Sequence, residues 1–455
     1  MDSTQAFSLN QEDNEQFIHR NSDQQKRGDQ GYGKSPIRFA MLIMVMLAFL
    51  INQNCYDLNN IGTPDYLYYV EPFYYLIFFL MSVKWIEEWG LYRTFCFALI
   101  IQTFALWFGR SLNEKVFQTD LVGPTVGELL NSLAQVLIFN SITKVTSSWF
   151  DHRERIIATG LILIAFHFGN LTTQYYLNHV PTDESKPIDW QYENFRYYLE
   201  AYWLGLAIVN FGLFLLFAFF FRHQPDKMPS KSQTDRHKPF NFHLQIGTLL
   251  QDKNVKIIYE MCTFFLIYIF SSPYNFRWYI FEEAVGNEFN VVREEIQPYL
   301  YMAGILITSI LITYKPNYKM ALAITIIGNM LFTFIGELGY LITNKTVFFI
   351  GYCAQGFFNG ALKLIVYELI TEISFPVSAG LSIACLHVIA KPCILAVTLV
   401  SDQSDDAYQG TDAINHIFND IIQFVYLVGL AICLVLVAKV DLKTKRLDVD
   451  LLHQH

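Results

Sequence analysis

Residues 197–239 read YYLEAYWLGLAIVNFGLFLLFAFFFRHQPDKMPSKSQTDRHKP. The first part is an apolar run with a single acid, long enough to cross a hydrocarbon core of ~30 Å as a helix. Backbone in lipid must satisfy its own hydrogen bonds, so such a run predicts a transmembrane helix. The second part, from Arg222 onward, is the longest polar internal stretch, and it is basic. Working outward, the same alternation of apolar run and charged loop recurs on both sides. Six runs end with this one, at roughly 37–60, 67–86, 92–110, 121–147, 155–178 and 197–221. Six more follow at roughly 255–281, 296–314, 319–341, 345–373, 379–400 and 418–440. The pattern predicts an all-α membrane protein with twelve transmembrane helices in two six-helix bundles. The corresponding division is a disordered tail 1–36, a bundle 37–222, a basic linker 223–252, a second bundle 253–440 and a tail 441–455.

Composition agrees. Charged residues are 16% of the chain, against ~25% for ordinary soluble domains. Forty Phe and 27 Tyr suit a lipid-facing surface with aromatic belts at its interfaces. A formal charge of −9 with no basic face argues against a nucleic-acid partner. All seven Cys fall in apolar spans and read as small buried residues rather than disulfides or metal ligands. The histidines show no metal-ligand spacing, and no Gly-rich phosphate loop with its lysine is present. No enzyme and no cofactor is therefore expected, and the partners are a small organic solute and the lipid bilayer.

Loop charges predict the orientation. Lys84, Arg93, Lys144, Arg153, Arg155, the linker, Lys315, Lys319, Lys443, Lys445 and Arg446 fall on one side. Asp57, Asp65, 183–193, 282–295 and 401–420 make the alternate loops acidic. By the positive-inside rule both termini are cytoplasmic, in a plasma or internal membrane. Asn344-Lys345-Thr346 is a glycosylation sequon in a loop on the opposite side.

After the second run comes SVKWIEEWGLYRTF, with Glu87, Gly90 and Arg93. It resembles, in degraded form, the acid–glycine–base loop motif of the major facilitator superfamily. Val83 stands where the motif begins with glycine, and the base is one place late. An acid at one helix end and an arginine at the next can latch two helices in one conformational state. The same residues also fit a solvated, inside-positive loop.

Three longer stretches resemble one family of that superfamily, named for the receptor of feline leukaemia virus subgroup C. They are IRFAMLIMVMLAFLINQNCYD, SLAQVLIFNSITKVTSSWFDHRERIIATG and YELITEISFPVSAGLS. Gln135, Lys144, Trp149, Phe150 and Glu154 carry the likeness in the second, and Glu368, Glu372, Pro376, Ser378 and Gly380 in the third. The resemblance covers nearly the whole membrane part and implies two pseudosymmetric bundles, the major facilitator fold. The family includes choline and ethanolamine transporters, for which haem transport has also been proposed. It implies that Tyr56 faces a quaternary ammonium and that Tyr268 of the seventh span lines the same cavity. Where the family has two substrate-contacting glutamines, this chain has His167 and Lys391.

Those two departures bear on the substrate. A second cation ~4 Å from Lys391, at an effective dielectric of ~20, meets a like-charge penalty of ~4 kcal/mol. An aromatic face returns at most ~2 kcal/mol. Either Lys391 is neutral, or it pairs with an acid such as Glu368 or Glu372, or the solute is anionic or zwitterionic. His387 lies four residues before Lys391, on the same helical face. His167, His387 and Lys391 thus form a candidate anion-binding or proton-linked set, although each histidine also fits a plain helix–helix hydrogen bond. Lys363, deep in the tenth span, fits either a solute contact or an internal pair with Glu337 or Glu128, of which the internal pair is the expectation. Pro273 in FSSPYNFRWY breaks the seventh helix, as a gate or as a static kink. Gly351, Gly356 and Gly360 form a surface for close helix packing.

The reading is a monomeric transporter working by alternating access. Its candidate lining residues are Tyr56, Gln135, His167, Tyr268, His387 and Lys391. Its candidate gating residues are Glu87, Gly90, Arg93, Pro273, Glu368 and Glu372. A membrane receptor or complex subunit that keeps the transporter fold is the alternative.

Overall fold

A computed structural model of the 455-residue chain describes residues 35–60, 65–115, 122–180, 188–222, 224–225, 229–230, 232, 240–270, 296–342, 344–406, 412–440, 442 and 444–451. The described elements are all helices. The first half holds α1 (Arg38–Asn60), α2 (Asp65–Lys115), α3 (Val122–Asn140), α4 (Ile142–Trp149), α5 (His152–Asn178) and α6 (Ile188–Phe220). A short helix α7 (Phe242–Gln251) precedes the second half. There follow α8 (Lys253–Phe270), α9 (Gln297–Tyr314), α10 (Tyr318–Leu341), α11 (Lys345–Ile373), α12 (Ala379–Asp406), α13 (Asp412–Lys439) and a terminal α14 (Lys445–Leu451).

Helix α2 is 51 residues long, roughly 75 Å at ~1.5 Å per residue, which is twice a bilayer core. Gly90 resolves the excess. Its φ of 76° and ψ of 170° lie where only glycine is comfortable, and they break α2 into two crossings. The span expected at 121–147 is interrupted as well. Ser141 ends α3, and its hydroxyl donates to the Leu137 carbonyl at 2.7 Å, a back-bond that bends helices. By length and apolar composition alone, seven of the described helices qualify as spans. Others fall short because polar groups face the bundle interior, such as Glu128, Asn131, Ser132 and Gln135, all buried on α3.

Each half packs around its own core. Helix α1 lies on α3 and α5, and α2 on α3 and α6; in the second half α11 is central, against α8, α9 and α10. Close approach there depends on glycine: a Cβ on Gly360 would overlap the Tyr301 carbonyl of α9. The halves meet along two lines, α2 on α12 and α5 on α9. Phe79 and His387 stack across the first line, so it is the earlier crossing of α2 that takes part. The second crossing of each half therefore packs on the fifth of the other, the exchange that a twofold axis makes. The perimeter is apolar and exposed, as at Ile208, Phe219, Phe220, Leu311 and Leu341. That is the surface expected of a multi-pass protein in lipid. All seven cysteines are free.

Candidate functional site: a closed face and a mid-membrane cluster

The start of α5 builds the first part. Asp151 caps that helix, accepting from the backbone N–H groups of Arg153 at 3.1 Å and Glu154 at 2.9 Å. The first turn is thereby fixed. Glu154 reaches Arg38 of α1 at 3.1 Å, and Arg155 turns toward the other half. There it meets Glu368 and Glu372, four residues apart on one face of α11. Arg155 Nε lies 3.4 Å from Glu368 Oε2, and Arg155 Nη2 donates to Glu372. Thr159 Oγ1 also donates to Glu368. The three ionic side chains are no more than 3% exposed. Helix α14 completes the group: the Leu447 backbone N–H donates to Glu372 Oε2 at 3.0 Å. Arg446 is fully buried, with Nε donating to Ser232 Oγ at 3.2 Å, and Asp450 accepts from the same serine.

A second closure lies at the other seam on the same face. Lys144 Nζ donates to Glu87 Oε2 at 2.7 Å, and the hydroxyl of Ser378, before α12, donates to Glu87 Oε1. The Ser378 N–H donates to Gln245 Oε1 of α7 at 3.0 Å. Both seams are thus bolted on the face that carries the start of α1 and helix α14. Arg93 departs from the expected latch: it is exposed beyond the Gly90 break, and the cation bonded to Glu87 is Lys144. Glu368 departs too, being bonded to Arg155 and Thr159 rather than to Lys391.

Deeper in the membrane a second group joins the halves. Lys363 of α11 is fully buried, and its Nζ lies 3.1 Å from His167 Nε2 of α5. The ammonium sits over three rings, 4.9 Å from the centroid of Phe270, 5.1 Å from Phe166 and 5.9 Å from Tyr301. Lys391 of α12 shares the Phe270 ring, at 6.0 Å. Among the described residues no carboxylate forms an ion pair with Lys363, so the expected pairing with Glu337 or Glu128 is replaced by His167. Ring faces return about 0.5–2 kcal/mol each, whereas removing an ammonium from water costs several kcal/mol.

The other expected lining residues are placed as follows. His387 is buried, its Nε2 2.7 Å from the Tyr367 hydroxyl, and it packs on Phe79 and Phe139. Phe139, which touches Phe166, links it to the lysine cluster. Gln135 is 5% exposed, with Oε1 lacking a hydrogen-bond partner among the described residues. Tyr268 is removed from the cluster. It is fully buried inside the second half, bonded to Thr333 at 3.1 Å and Gln355 at 2.6 Å, with its ring against Tyr426. The backbone of Tyr56 continues α1, but its side chain lies outside the described residues, as does all of Pro273. Reading the sequence did not single out Arg155, Phe270 or Tyr301. In the sequence Arg155 stands only as one of the charges of a cytoplasmic loop.

The architecture is the major facilitator fold, twelve helices in two pseudosymmetric halves. No family model matches the chain. Among curated proteins it is similar to the choline/ethanolamine transporter FLVCR1 of Mus musculus, with 24% identity over 416 residues, covering 84% of this chain and 72% of that one. It is also similar to the choline/ethanolamine transporter FLVCR2 of Homo sapiens, with 25% identity over 346 residues, covering 72% of this chain and 62% of the relative. Among solved structures, FucP in the outward conformation superposes with a TM-score of 0.65 at 11% identity, over 89% of this chain and 99% of that one. The proton:xylose symporter XylE gives 0.65 at 12% identity, over 91% and 98%.

Proposed function

We propose that the chain is a carrier of a small organic solute, working by alternating access. The two halves rock about the mid-membrane cluster, exposing it to one side and then the other. The observation that carries this reading is the pair of cross-half bolts, Arg155 with Glu368 and Glu372, and Glu87 with Ser378, on one face of a cluster shared by both halves. Lys/Arg bias assigns that face to the cytoplasm, with both termini. Among the described residues, the bolts close the cytoplasmic face of the cluster. The choline and ethanolamine named for the relatives support an amino-alcohol or a related metabolite as the solute class. His167 and Lys391, with Lys363 beside them, set the site apart from a plain choline site. A plasma or internal membrane is the location, and the monomer is the working unit.

Purified protein in liposomes tests the carrier. Saturable uptake of a solute, abolished when Arg155 and Glu87 are cross-linked to their partners, is the expected result. Non-saturating flux with unitary currents identifies a channel. No flux across a broad metabolite panel, with a stoichiometric protein partner, identifies a receptor or complex subunit that keeps the fold.

A further inference from the structure

Resting on that carrier reading, we infer that the mid-membrane site takes a solute bearing a carboxylate or phosphate group, and that the Lys363 ammonium fills the aromatic cage a free cation would otherwise use. Phe166, Phe270 and Tyr301 present ring faces to one point, 4.9–5.9 Å from each centroid, and the Lys363 Nζ occupies that point. A ring quadrupole that already holds a tethered ammonium is not available to a second one, which would also meet its repulsion. The ring faces accept no conventional hydrogen bond from the ammonium. His167 Nε2 takes one N–H at 3.1 Å, and no described carboxylate takes another. Lysine carries three donors and no acceptor, so an anionic oxygen is the matching group.

Two neighbours fit the same ligand. Lys391 brings a second ammonium to Phe270, 6.0 Å from its centroid. Tyr301 contributes a buried hydroxyl that has no hydrogen-bond partner among the described residues, a donor suited to an oxyanion. His167, packed on the Tyr301 ring at 4.3 Å, spans the two halves, so a ligand bound here is held by both. The inferred specificity is thus opposite in sign to that of a site built for a bare quaternary amine.

The test uses full-length protein in liposomes and in detergent, with three probes: choline, glycine betaine and phosphoethanolamine. Expected for the wild type is saturable uptake, and a rise in melting temperature, with betaine or phosphoethanolamine but not with choline. Whichever of these two is taken up tells carboxylate from phosphate. Lys363→Gln is expected to lower that uptake at least tenfold and to gain a melting shift with choline, since the cage is vacated. Lys363→Arg keeps the charge and is expected to retain anion uptake, which guards against a variant that simply misfolds. Choline uptake by the wild type that persists in Lys363→Gln overturns the inference and leaves the carrier intact. Failure of every solute to cross overturns the carrier and this inference together.

Discussion

Arg155→Gln is the most informative perturbation of the closed face. In the described state Arg155 lies between Glu368 and Glu372, and all three side chains are at most 3% exposed. Removing one partner of a buried ion pair costs about 3–5 kcal/mol, because the remaining charge stays out of water. Here two carboxylates remain, four residues apart on α11. Thr159 and the Leu447 N–H still donate to them, and proton uptake by one limits the loss, so about 3 kcal/mol is the working figure. The cost falls on the closed state alone if rocking admits water to α11. At about 1.4 kcal/mol per tenfold, the closed-to-open ratio drops by about a hundredfold. Spin labels at Arg153 and Lys315, both exposed and on opposite sides of the α5–α9 seam, read the separation once the exposed Cys393 is replaced by Ser. A single short distance is expected for the parent and a dominant longer one for Arg155→Gln. Replacing all three charges together, Arg155→Leu with Glu368→Gln and Glu372→Gln, should restore the short distance, since an apolar substitute for a buried ionic group is often neutral. An unchanged distribution in a folded Arg155→Gln protein would refute the reasoning.

Further outcomes follow from the packing and the tail. Gly360→Val is expected to lower the melting temperature or abolish expression, because its Cβ overlaps the Tyr301 carbonyl and overpacking costs about 1–3 kcal/mol. Gly205→Ala, with nothing within 4 Å of the new carbon, should be tolerated, and thermal melts of the two separate packing from propensity. Asp252 accepts from Lys445 at 2.9 Å, and that bond, first among the causes, holds its carboxyl below the usual range. A depressed folded value means that the stabilisation is present above the ordinary carboxylate range and is lost as pH falls through the depressed value. Hydrogen exchange of Leu447–Leu451 should therefore quicken in acid, slightly because the pair is partly exposed, and Asp252→Asn should remove the step.

The spans and their division were readable because apolar length is a local property. So was the weight on Glu368 and Glu372, whose i, i+4 spacing defines a face. What could not be read was which charge meets which across the seam. Lys363 and His167 are 196 residues apart, and Arg155 stands 213 and 217 residues from its two acids. Periodicity is silent on such distances. Lys391 drew attention because it replaced a glutamine, whereas Lys363, embedded in rings from α5, α8 and α9, had no local sign of its partners. Tyr268 looked like a lining aromatic, but α11 supplies Gln355 beside it, and a tyrosine buried with its hydroxyl satisfied is a packing residue. Arg93 stands one place late in the motif, and beyond the break at Gly90 it is exposed, with Glu87 bonded to Lys144 instead.

Helix α14 has a use that concerns neither solute nor lipid. It touches Glu372 through a peptide N–H, so when α11 parts from α5 the docking of this short segment must change as well. Asp448 on its outer side is exposed. A fluorophore placed there would sit far from the translocated cargo and still blink with each turnover, making the tail a built-in tachometer.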